Sequence, residues 1–308
     1  VYAGDGNYFV IDGQNSRILK LNSQNQVVEI IQNDSIKNKN QLNGIDADGN
    51  FFVRSSCGNE VYKLNPAGEV IKTISVAGYQ QCYSEVKVTD NGEISVAASV
   101  YSGGQAVDSV VAFFSEGGVV TESISANAIG YSGSRFSDSF KVGNKVYLLV
   151  QQGNSYSIAE YNLQTNAVEN SFPIANGSGS KKSLAFKDGK LYVQNTHSTD
   201  NYFVYDTDGN LIKTISSSVQ LIAGNGFVLT ENDDILAVSG HNIYVFGSNG
   251  LVSVPVDLGN NNSLTELSSS AVGIDCNIFT LSSDGDSGIV IKEFKQDGEY
   301  IRNIDVEL

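Results

Sequence analysis

The sequence predicts an all-β fold made of a repeated unit of roughly 44 residues. Seven short apolar strands recur along the chain, each followed by a loop, a second strand, an Asn or Gly turn and a third strand. They open at Tyr8, Phe51, Ile94, Val146, Leu191, Ile235 and Ile278, so their spacing is 43, 43, 52, 45, 44 and 43 residues. A period in this range, built only of short strands and tight turns, is typical of a propeller with one four-stranded blade per repeat. The sequence therefore predicts a seven-bladed β-propeller with four antiparallel strands per blade.

The repeats fill the 308-residue chain and predict a single propeller domain. The blades are expected at approximately 1–31, 43–74, 85–124, 138–172, 183–215, 226–257 and 271–304. Because the chain begins at Val1 and contains no Met, we expect it to be a mature form or a part of a larger polypeptide.

The second blade shows the elements in order. Its four strands are expected at Gly44–Ala47, Phe51–Arg54, Val61–Leu64 and Val70–Ile74. Gly49 and Gly68 lie in the turns between them, where a tight hairpin needs a positive φ angle. The fourth strand of the fifth blade, Leu211–Ile215, nearly repeats Val70–Ile74. Two blades with so similar an outer strand indicate internal duplication.

The first blade resembles the NHL-repeat propellers. It contains Gly6-Asn7-Tyr8-Phe9-Val10-Ile11-Asp12 followed by Asn15-Ser16-Arg17-Ile18, close to the pattern of that family, and Gly273-Ile274-Asp275 matches the start of the pattern in the last blade. The resemblance implies a propeller with a binding role and brings no catalytic residue with it. The Asn-x-Arg-Ile motif occurs only in the first blade, so the chain resembles a divergent member of the family.

Charge limits the classes of partner. The chain has 19 Lys and Arg against 34 Asp and Glu, a net charge of −15. This charge repels nucleic acid phosphates and anionic lipid surfaces. No apolar run approaches the ~20 residues that span a bilayer. We therefore expect neither nucleic acid binding nor membrane insertion.

Propeller geometry predicts that the long loops lie on one face. These loops follow the second and fourth strands of each blade, whereas tight Asp-Gly and Asn-Gly turns occupy the other face. Aromatic and basic residues of the long loops are the candidates for binding a glycan or protein ligand: Tyr79, Tyr83, Tyr101, Tyr131, Arg135, Phe136 and Tyr156. The stretched spacing between blades three and four makes this sector the expected contact surface.

Two histidines provide a second hypothesis. His197 and His241 are expected in second-to-third strand loops of neighbouring blades, where they and a carboxylate such as Asp200 could bind a metal or act as acid and base. Calcium is an alternative at the Asp-rich turns, above all at Asp284 and Asp286, although none of these turns has the closing Glu of an EF-hand. The expectation is that no cofactor is required.

The cysteines predict an oxidising compartment. Cys57 and Cys82 are expected in loops of the same face, and a disulfide between them would stabilise the fold by about 3.5 kcal/mol. Two buried thiols are the alternative. With the bridge, the protein is expected to be extracellular or periplasmic.

These observations favour an extracellular recognition or adhesion module that binds a glycan or a protein on its loop-rich face. One alternative is a propeller enzyme, a lyase or hydrolase with its site at the channel mouth. Another is a structural spacer domain of a larger protein. No catalytic residue is assigned, because the sequence contains neither a Gly-x-Ser-x-Gly elbow leading into a helix nor a clustered set of its four Arg residues.

Overall fold

The structure is a computed structural model of the 308-residue chain. It describes residues 8–12, 15–21, 27–37, 41–54, 60–75, 79–88, 93–102, 105–115, 119–175, 180–221, 227–229, 234–239, 242–247, 250–251, 267–272, 278–283, 289–294 and 300–305. These residues form antiparallel β-strands apart from the turns and one short 3-10 helix, Asp34–Ile36. The chain divides into two compact units, Val1–Phe172 and Pro173–Leu308.

The first unit contains four sheets. Sheet 1 has three described strands: β1 (Tyr8–Asp12), β2 (Arg17–Leu21) and β3 (Val27–Gln32). Sheet 2 has β4 (Gln41–Ile45), β5 (Phe51–Arg54), β6 (Glu60–Leu64) and β7 (Val70–Ser75). Sheet 3 has β8 (Tyr79–Val88), β9 (Ile94–Ser102), β10 (Gln105–Phe114) and β11 (Val120–Ser125). Sheet 4 has β12 (Arg135–Val142), β13 (Lys145–Gln152), β14 (Ser155–Asn162) and β15 (Ala167–Pro173).

The second unit contains three sheets with the same strand order. Sheet 5 has β16 (Ser180–Lys187), β17 (Lys190–Thr196), β18 (Asp200–Asp206) and β19 (Leu211–Ser216). Sheet 6 has β20 (Phe227–Leu229), β21 (Ile235–Ser239), β22 (Asn242–Gly247) and β23 (Gly250–Leu251). Sheet 7 has β24 (Leu267–Val272), β25 (Ile278–Ser283), β26 (Ile289–Phe294) and β27 (Tyr300–Asp305).

The strand predicted to be second in each blade lies where the repeat predicts it; it is β1 in sheet 1 and the second strand of each other sheet. Five of these strands begin at the expected residue, and β13 and β17 begin one residue earlier, at Lys145 and Lys190. Each pairs in antiparallel register with the next strand of its sheet. The prediction of an all-β fold of repeated four-stranded antiparallel sheets is confirmed. The single-domain organisation and the blade boundaries stay a prediction.

The core lies between neighbouring sheets, because the middle strands are buried on both faces. Phe51 packs with Phe9 of sheet 1, whereas the adjacent Phe52 packs with Val96 and Phe114 of sheet 3. Further apolar clusters join sheet 3 to sheet 4 and sheet 5 to sheet 6. Alternating side chains of one strand therefore contribute to two different interfaces, which explains the nearly continuous apolar runs of the second strands.

Glycines allow two of these interfaces to close. A Cβ atom on Gly44 of β4 would lie 2.5 Å from Cβ of Val88 in sheet 3. A Cβ atom on Gly68, in the turn between β6 and β7, would lie 2.6 Å from Cγ2 of Ile31 in sheet 1. Gly68 also has φ +80°, a conformation that favours glycine. Both positions therefore require glycine for close packing, and Gly68 requires it for its backbone conformation as well.

The first strands begin earlier than the sequence predicts because most of them contain a bulge. In sheets 2, 3, 4, 5 and 7 the register between first and second strand shifts near the start of the first strand. The longest shift is in β8, where 81–84 lie between the pairs Gln80↔Ser99 and Glu85↔Ala97. Extra residues break the two-residue alternation by which a strand is recognised.

The observed strand bounds correct the predicted loop positions. The candidates predicted in long loops lie in strands in these cases: Tyr79, Cys82 and Tyr83 in β8, Tyr101 in β9, Arg135 and Phe136 in β12, and Tyr156 in β14. No helix of the described residues is long and apolar enough to cross a membrane.

Candidate binding site

An ordered connector joins sheets 3 and 4. We define it as residues 126–134, between the end of β11 and the start of β12. It consists of turns closed by its own backbone: the Tyr131 amide donates to the Ala126 carbonyl at 2.8 Å and the Ser134 amide donates to the Tyr131 carbonyl at 3.0 Å. Gly130 and Gly133 have φ +88° and +76°. The connector is thus a compact loop with a defined conformation, in which the side chains of Asn127, Ala128 and Ser132 are exposed.

Asp108 holds the base of the connector. Its Oδ1 accepts the backbone amides of Ser109 at 2.8 Å and Asn127 at 3.1 Å, and its Oδ2 accepts the hydroxyl of Ser125 at 2.6 Å. The Ser125 hydroxyl oxygen in turn accepts the amide of Ala128 at 3.2 Å. A carboxylate that accepts several donors restricts the loop strongly, because charge-assisted hydrogen bonds are about twice as strong as neutral ones.

Tyr131 and Ser109 attach the connector to the sheets on either side. The phenol ring of Tyr131 packs against the apolar cluster between sheets 3 and 4, and its hydroxyl lies 2.7 Å from Oγ of Ser171 in β15. The Ser109 carbonyl accepts the Ala126 amide of the connector at 2.8 Å, and the Ser109 hydroxyl donates to the Ala98 carbonyl at 3.2 Å and accepts the Phe136 amide at 2.9 Å. The connector is therefore pre-organised from both sides before any ligand binds.

Beside the connector, three polar side chains form a row across sheet 4. Arg135 of β12 is paired with Gln151 of β13, and Gln151 is paired with Tyr156 of β14. Residues directly opposite one another on neighbouring strands point to the same face, with Cβ atoms about 5 Å apart. Arg135 is exposed, whereas Gln151 and Tyr156 are half-buried. We call these three residues the polar row.

Two ion pairs join β12, the strand that carries Arg135, to sheet 3. Lys87 of β8 contacts Asp138 of β12 at 2.7 Å and donates to the Ser139 carbonyl at 3.0 Å. At the other end of β12, Lys141 contacts Glu93 at 2.6 Å. Both pairs join sheet 3 to sheet 4, so they hold the two sheets that carry the connector and the polar row in one relative position.

Sheet 5 contains a separate buried polar cluster. Lys181 of β16 is 3% exposed, its ammonium lies 3.1 Å from Oδ1 of Asn195, and it stands 5.3 Å from the ring centre of Phe203. Burial lowers the pKa of Lys181, and the charge of Asp200 opposes this shift. The Asp200 carboxylate accepts the Ser216 hydroxyl at 2.8 Å.

The structure describes one of the two histidines of the second hypothesis. His197 is exposed, has φ +59°, and its backbone amide donates to the Leu221 carbonyl at 2.6 Å. His241 lies outside the described residues, so the approach of the two imidazoles stays a prediction.

Of the remaining candidates, one is buried. The others lie outside the described residues, either entirely or by their side chains. Phe136 is 6% exposed and packs in the apolar cluster between sheets 3 and 4, so its ring contributes to the core there. The side chains of Tyr79, Tyr83 and Tyr101 lie outside the described part of the structure, as do Asp284 and Asp286. Cys57 and the side chain of Cys82 lie outside it too, so the disulfide stays a prediction. Among the described residues, no three His, Cys, Asp or Glu side chains cluster in a way that could hold a metal ion.

The Asp-rich turn at Asp46 has a structural explanation. Lys63 of β6 contacts Oδ2 of Asp46 at 2.8 Å, and both side chains are almost fully buried. Asn50 donates to the same carboxylate from its backbone and side chain, and the Asp48 amide donates to Oδ1. Burial alone would raise the pKa of Asp46, but the hydrogen bonds from Lys63 and Asn50 and the charge of Lys63 together hold the pKa below its ordinary value. The ammonium of Lys63 thus supplies the positive charge at this turn.

The structure groups some predicted residues and adds others. It brings Arg135 and Tyr156 into one row and places Tyr131 in the adjacent connector, all in the sector where the repeat spacing is longest. Sequence reasoning missed Gln151, which lies between them, and Asp108, which anchors the connector. Gln151 could not be found from the sequence, because its position beside Arg135 and Tyr156 depends on the register between strands. Asp108 could have been found, because an acidic residue before an apolar run, as in Asp108-Ser109-Val110, indicates a loop anchor.

No protein-family model matches the chain, and no curated protein matches its sequence. Solved structures do match. The WD40 β-propeller domain of Doa1 aligns with a TM-score of 0.63 at 13% identity, over 96% of this chain and 90% of that one. Hydrazine synthase of Kuenenia stuttgartiensis aligns with a TM-score of 0.64 at 12% identity, over 97% and 95%. Virginiamycin B lyase of Staphylococcus aureus aligns with a TM-score of 0.59 at 10% identity, over 86% and 83%.

These similarities define the class of protein as a β-propeller. At such low identities they show the fold alone, since one fold supports many functions. The NHL-repeat resemblance stays a prediction that no family match supports.

Proposed function

We propose that this protein is a recognition module that binds a protein or glycan ligand through the connector 126–134 and the polar row. The observation that carries the proposal is the pairing of a pre-organised loop with an exposed Arg135 and a half-buried Tyr156 on a rigid sheet. Loops held on rigid scaffolds are where binding residues concentrate. Arg and Tyr are enriched among the residues that dominate binding energy.

The chemistry of the row favours a ligand with acceptor groups and a flat or apolar surface. The guanidinium of Arg135 can donate two parallel hydrogen bonds to a carboxylate. Arg135 is exposed, and its guanidinium makes no ion pair with the residues that the structure describes. Tyr156 adds an aromatic face, and Gln151 can donate and accept. A protein segment with an acidic side chain, or an acidic glycan, fits this combination.

An extracellular or periplasmic recognition or adhesion role is part of the same proposal. It depends on the predicted Cys57–Cys82 bridge, on the acidic composition and on the resemblance to NHL-repeat propellers.

The test is a binding screen with the 308-residue chain against an array of acidic and neutral glycans and an immobilised library of acidic peptides. We expect a ligand whose affinity falls at least about tenfold in Arg135→Ala and in Tyr156→Ala, since hot-spot truncations cost about 2 kcal/mol or more. Lys37→Ala is the control, because Lys37 is an exposed basic residue distant in sequence from the connector. Ligands that bind both variants as tightly as the native chain would refute the assignment of the site.

A further inference from the structure

Sheet 5 brings the side chains of Lys181 and Asn195 into contact in its interior. The two residues are directly opposite one another on β16 and β17. Their side chains therefore lie on the same face of the sheet, with Cβ atoms about 5 Å apart. Lys181 is 3% exposed, Asn195 is fully buried, and the Lys181 ammonium lies 3.1 Å from Oδ1 of Asn195. A primary amine and a carboxamide are thus held together away from water.

Two hydrogen bonds fix which end of the Asn195 amide faces the lysine. Nδ2 of Asn195 donates to the backbone carbonyl of Asp200 at 2.6 Å. Because a carbonyl oxygen only accepts, this contact requires the NH2 end of the amide and turns the C=O end towards Lys181. The carbon of this C=O group, Cγ, is bonded to the oxygen that the ammonium contacts. Nζ of Lys181 is therefore positioned beside an electrophilic carbon, which favours a reaction between the two groups.

The surroundings make the amine of Lys181 more nucleophilic than that of a surface lysine. Burial lowers the pKa of Lys181, and the charge of Asp200 opposes this shift without cancelling it. A larger fraction of the side chain is therefore the neutral amine at a given pH. The neutral amine is the form that attacks a carbonyl carbon. The ring of Phe203, whose centre is 5.3 Å from Nζ, contributes to the apolar environment.

The buried pair of Lys63 and Asp46 in sheet 2 provides a comparison. Burial alone would raise the pKa of Asp46, but the hydrogen bonds from Lys63 and Asn50 hold it below its ordinary value, so this carboxyl is ionised at neutral pH. An ionised carboxylate is a poor electrophile and forms an ion pair with the lysine. The amide of Asn195 is uncharged, so its contact with Lys181 has a different chemistry.

We propose that Lys181 and Asn195 join in an intramolecular isopeptide bond that the folded chain forms by itself. Nζ of Lys181 attacks Cγ of Asn195 as the neutral amine, so that the Nζ–Cγ bond forms and the Cγ–Nδ2 bond breaks. One proton passes from Nζ to Nδ2, which leaves as ammonia, and no oxidant, reductant or second substrate is needed. The product is a neutral secondary amide, which is less costly to bury than an ammonium group.

The bond closes the open end of the hairpin formed by β16 and β17. The turn of this hairpin is Asp188-Gly189, and Lys181 and Asn195 form the pair next to its last one, Ser180 and Thr196. A covalent link between the two strands restricts the unfolded chain and so stabilises the fold. This inference does not depend on the proposed ligand-binding site, which consists of other residues in sheets 3 and 4.

Mass spectrometry of the denatured 308-residue chain tests the proposal, after the folded chain has been kept at mildly alkaline pH. We expect an intact mass about 17 Da below that of the sequence, which is the mass of the released ammonia. In a tryptic digest, the peptide 191–213 that contains Asn195 should be joined to 146–182 through Lys181. Absence of this branched product overturns the proposal. So does a mass loss without the branched product, as a succinimide at an Asn-Gly sequence would give.

Lys181→Met and Lys187→Met form a matched pair of variants. Both remove a lysine of β16, but Lys187 is paired with Lys190 and not with an amide. We expect the loss of ammonia to disappear in Lys181→Met and to persist in Lys187→Met. A loss that persists in both variants overturns the assignment. A urea titration shows whether each variant is folded, and if Lys181→Met does not fold, the branched product of the native chain decides.

Discussion

Replacing Gly68 by alanine tests the contact between sheets 1 and 2. The added Cβ atom would lie 2.6 Å from Cγ2 of Ile31 and 3.4 Å from Cβ of Asn33, and the backbone has φ +80°. An alanine at a positive φ costs about 1 kcal/mol of the free energy of unfolding. Overpacking a tight interface adds about 1–3 kcal/mol. We therefore expect Gly68→Ala to destabilise the protein by about 2–4 kcal/mol.

Gly143→Ala separates the two contributions. Gly143 lies in the turn between β12 and β13 with φ +57°, and no atom lies within 4 Å of the position of its added Cβ. This variant has the backbone cost without the steric one, so we expect a loss of about 1 kcal/mol. The difference between the two variants measures the sheet contact.

A double variant locates the clash. Ile31→Ala removes Cγ2 and by itself destabilises the core by about 2–5 kcal/mol. Combined with Gly68→Ala, it should cost less than the sum of the two single changes, because the added methyl group then occupies part of the vacated space.

Urea titration is the assay. The chain has 15 Tyr and no Trp, so tyrosine fluorescence and far-ultraviolet circular dichroism report unfolding. Coincidence of the two signals checks that a single transition is followed. If Gly68→Ala is no less stable than Gly143→Ala, or if the double variant shows simple additivity, the packing of sheet 2 on Ile31 is refuted.

Three further predictions follow from the ion pair, the connector anchor and the cysteines. Lys63→Met leaves the Asp46 carboxylate buried without its counter-ion, so urea titration should show a loss of about 3–5 kcal/mol, and Asp46→Asn in the same chain should recover part of it. Because the pKa of Asp46 is lowered in the folded state, its carboxylate stabilises the fold above about pH 4, and this stabilisation is lost as the pH falls through the folded-state pKa. If the free energy of unfolding of Lys63→Met depends on pH as steeply as that of the native chain, this reasoning is contradicted. Asp108→Ala removes the acceptor of three hydrogen bonds, so amide hydrogen exchange should become faster across 126–134. The exchange of β13 is the control and should be unchanged. Equally faster exchange in both segments would argue against a local anchor. In denaturant without reductant, one reactive thiol is expected if Cys57 and Cys82 are bridged, and three reactive thiols would refute the bridge.

The repeat could be predicted because it depends on residues that are close together in the sequence. Turn residues and apolar strands recur with a period that follows from the size of one blade, and the second strands such as β5 appear where their apolar runs begin. The burial of Phe51 and Phe52 on opposite faces agrees with a strand packed between two sheets.

The candidate site was predictable only in part. The stretched spacing between blades three and four pointed to the sector that contains Tyr131, Arg135 and Tyr156. The sequence did not place Tyr79 in a strand, because the bulge of β8 interrupts the alternation of its side chains. It also predicted a loop at Tyr101, which lies in β9. It did not separate Phe136, which is buried, from its exposed neighbour Arg135, since both belong to one short segment.

The sequence by itself determined the all-β class, the repeat and the order of strands, because hydrogen-bonded hairpins depend on residues that are neighbours in the chain. Only the tertiary structure decided the cross-strand register that aligns Arg135 with Gln151 and Tyr156, and the pairing of Lys63 with Asp46. These contacts join residues from different strands. Their geometry is set by bulges and by the packing of one sheet on the next, which no single strand encodes.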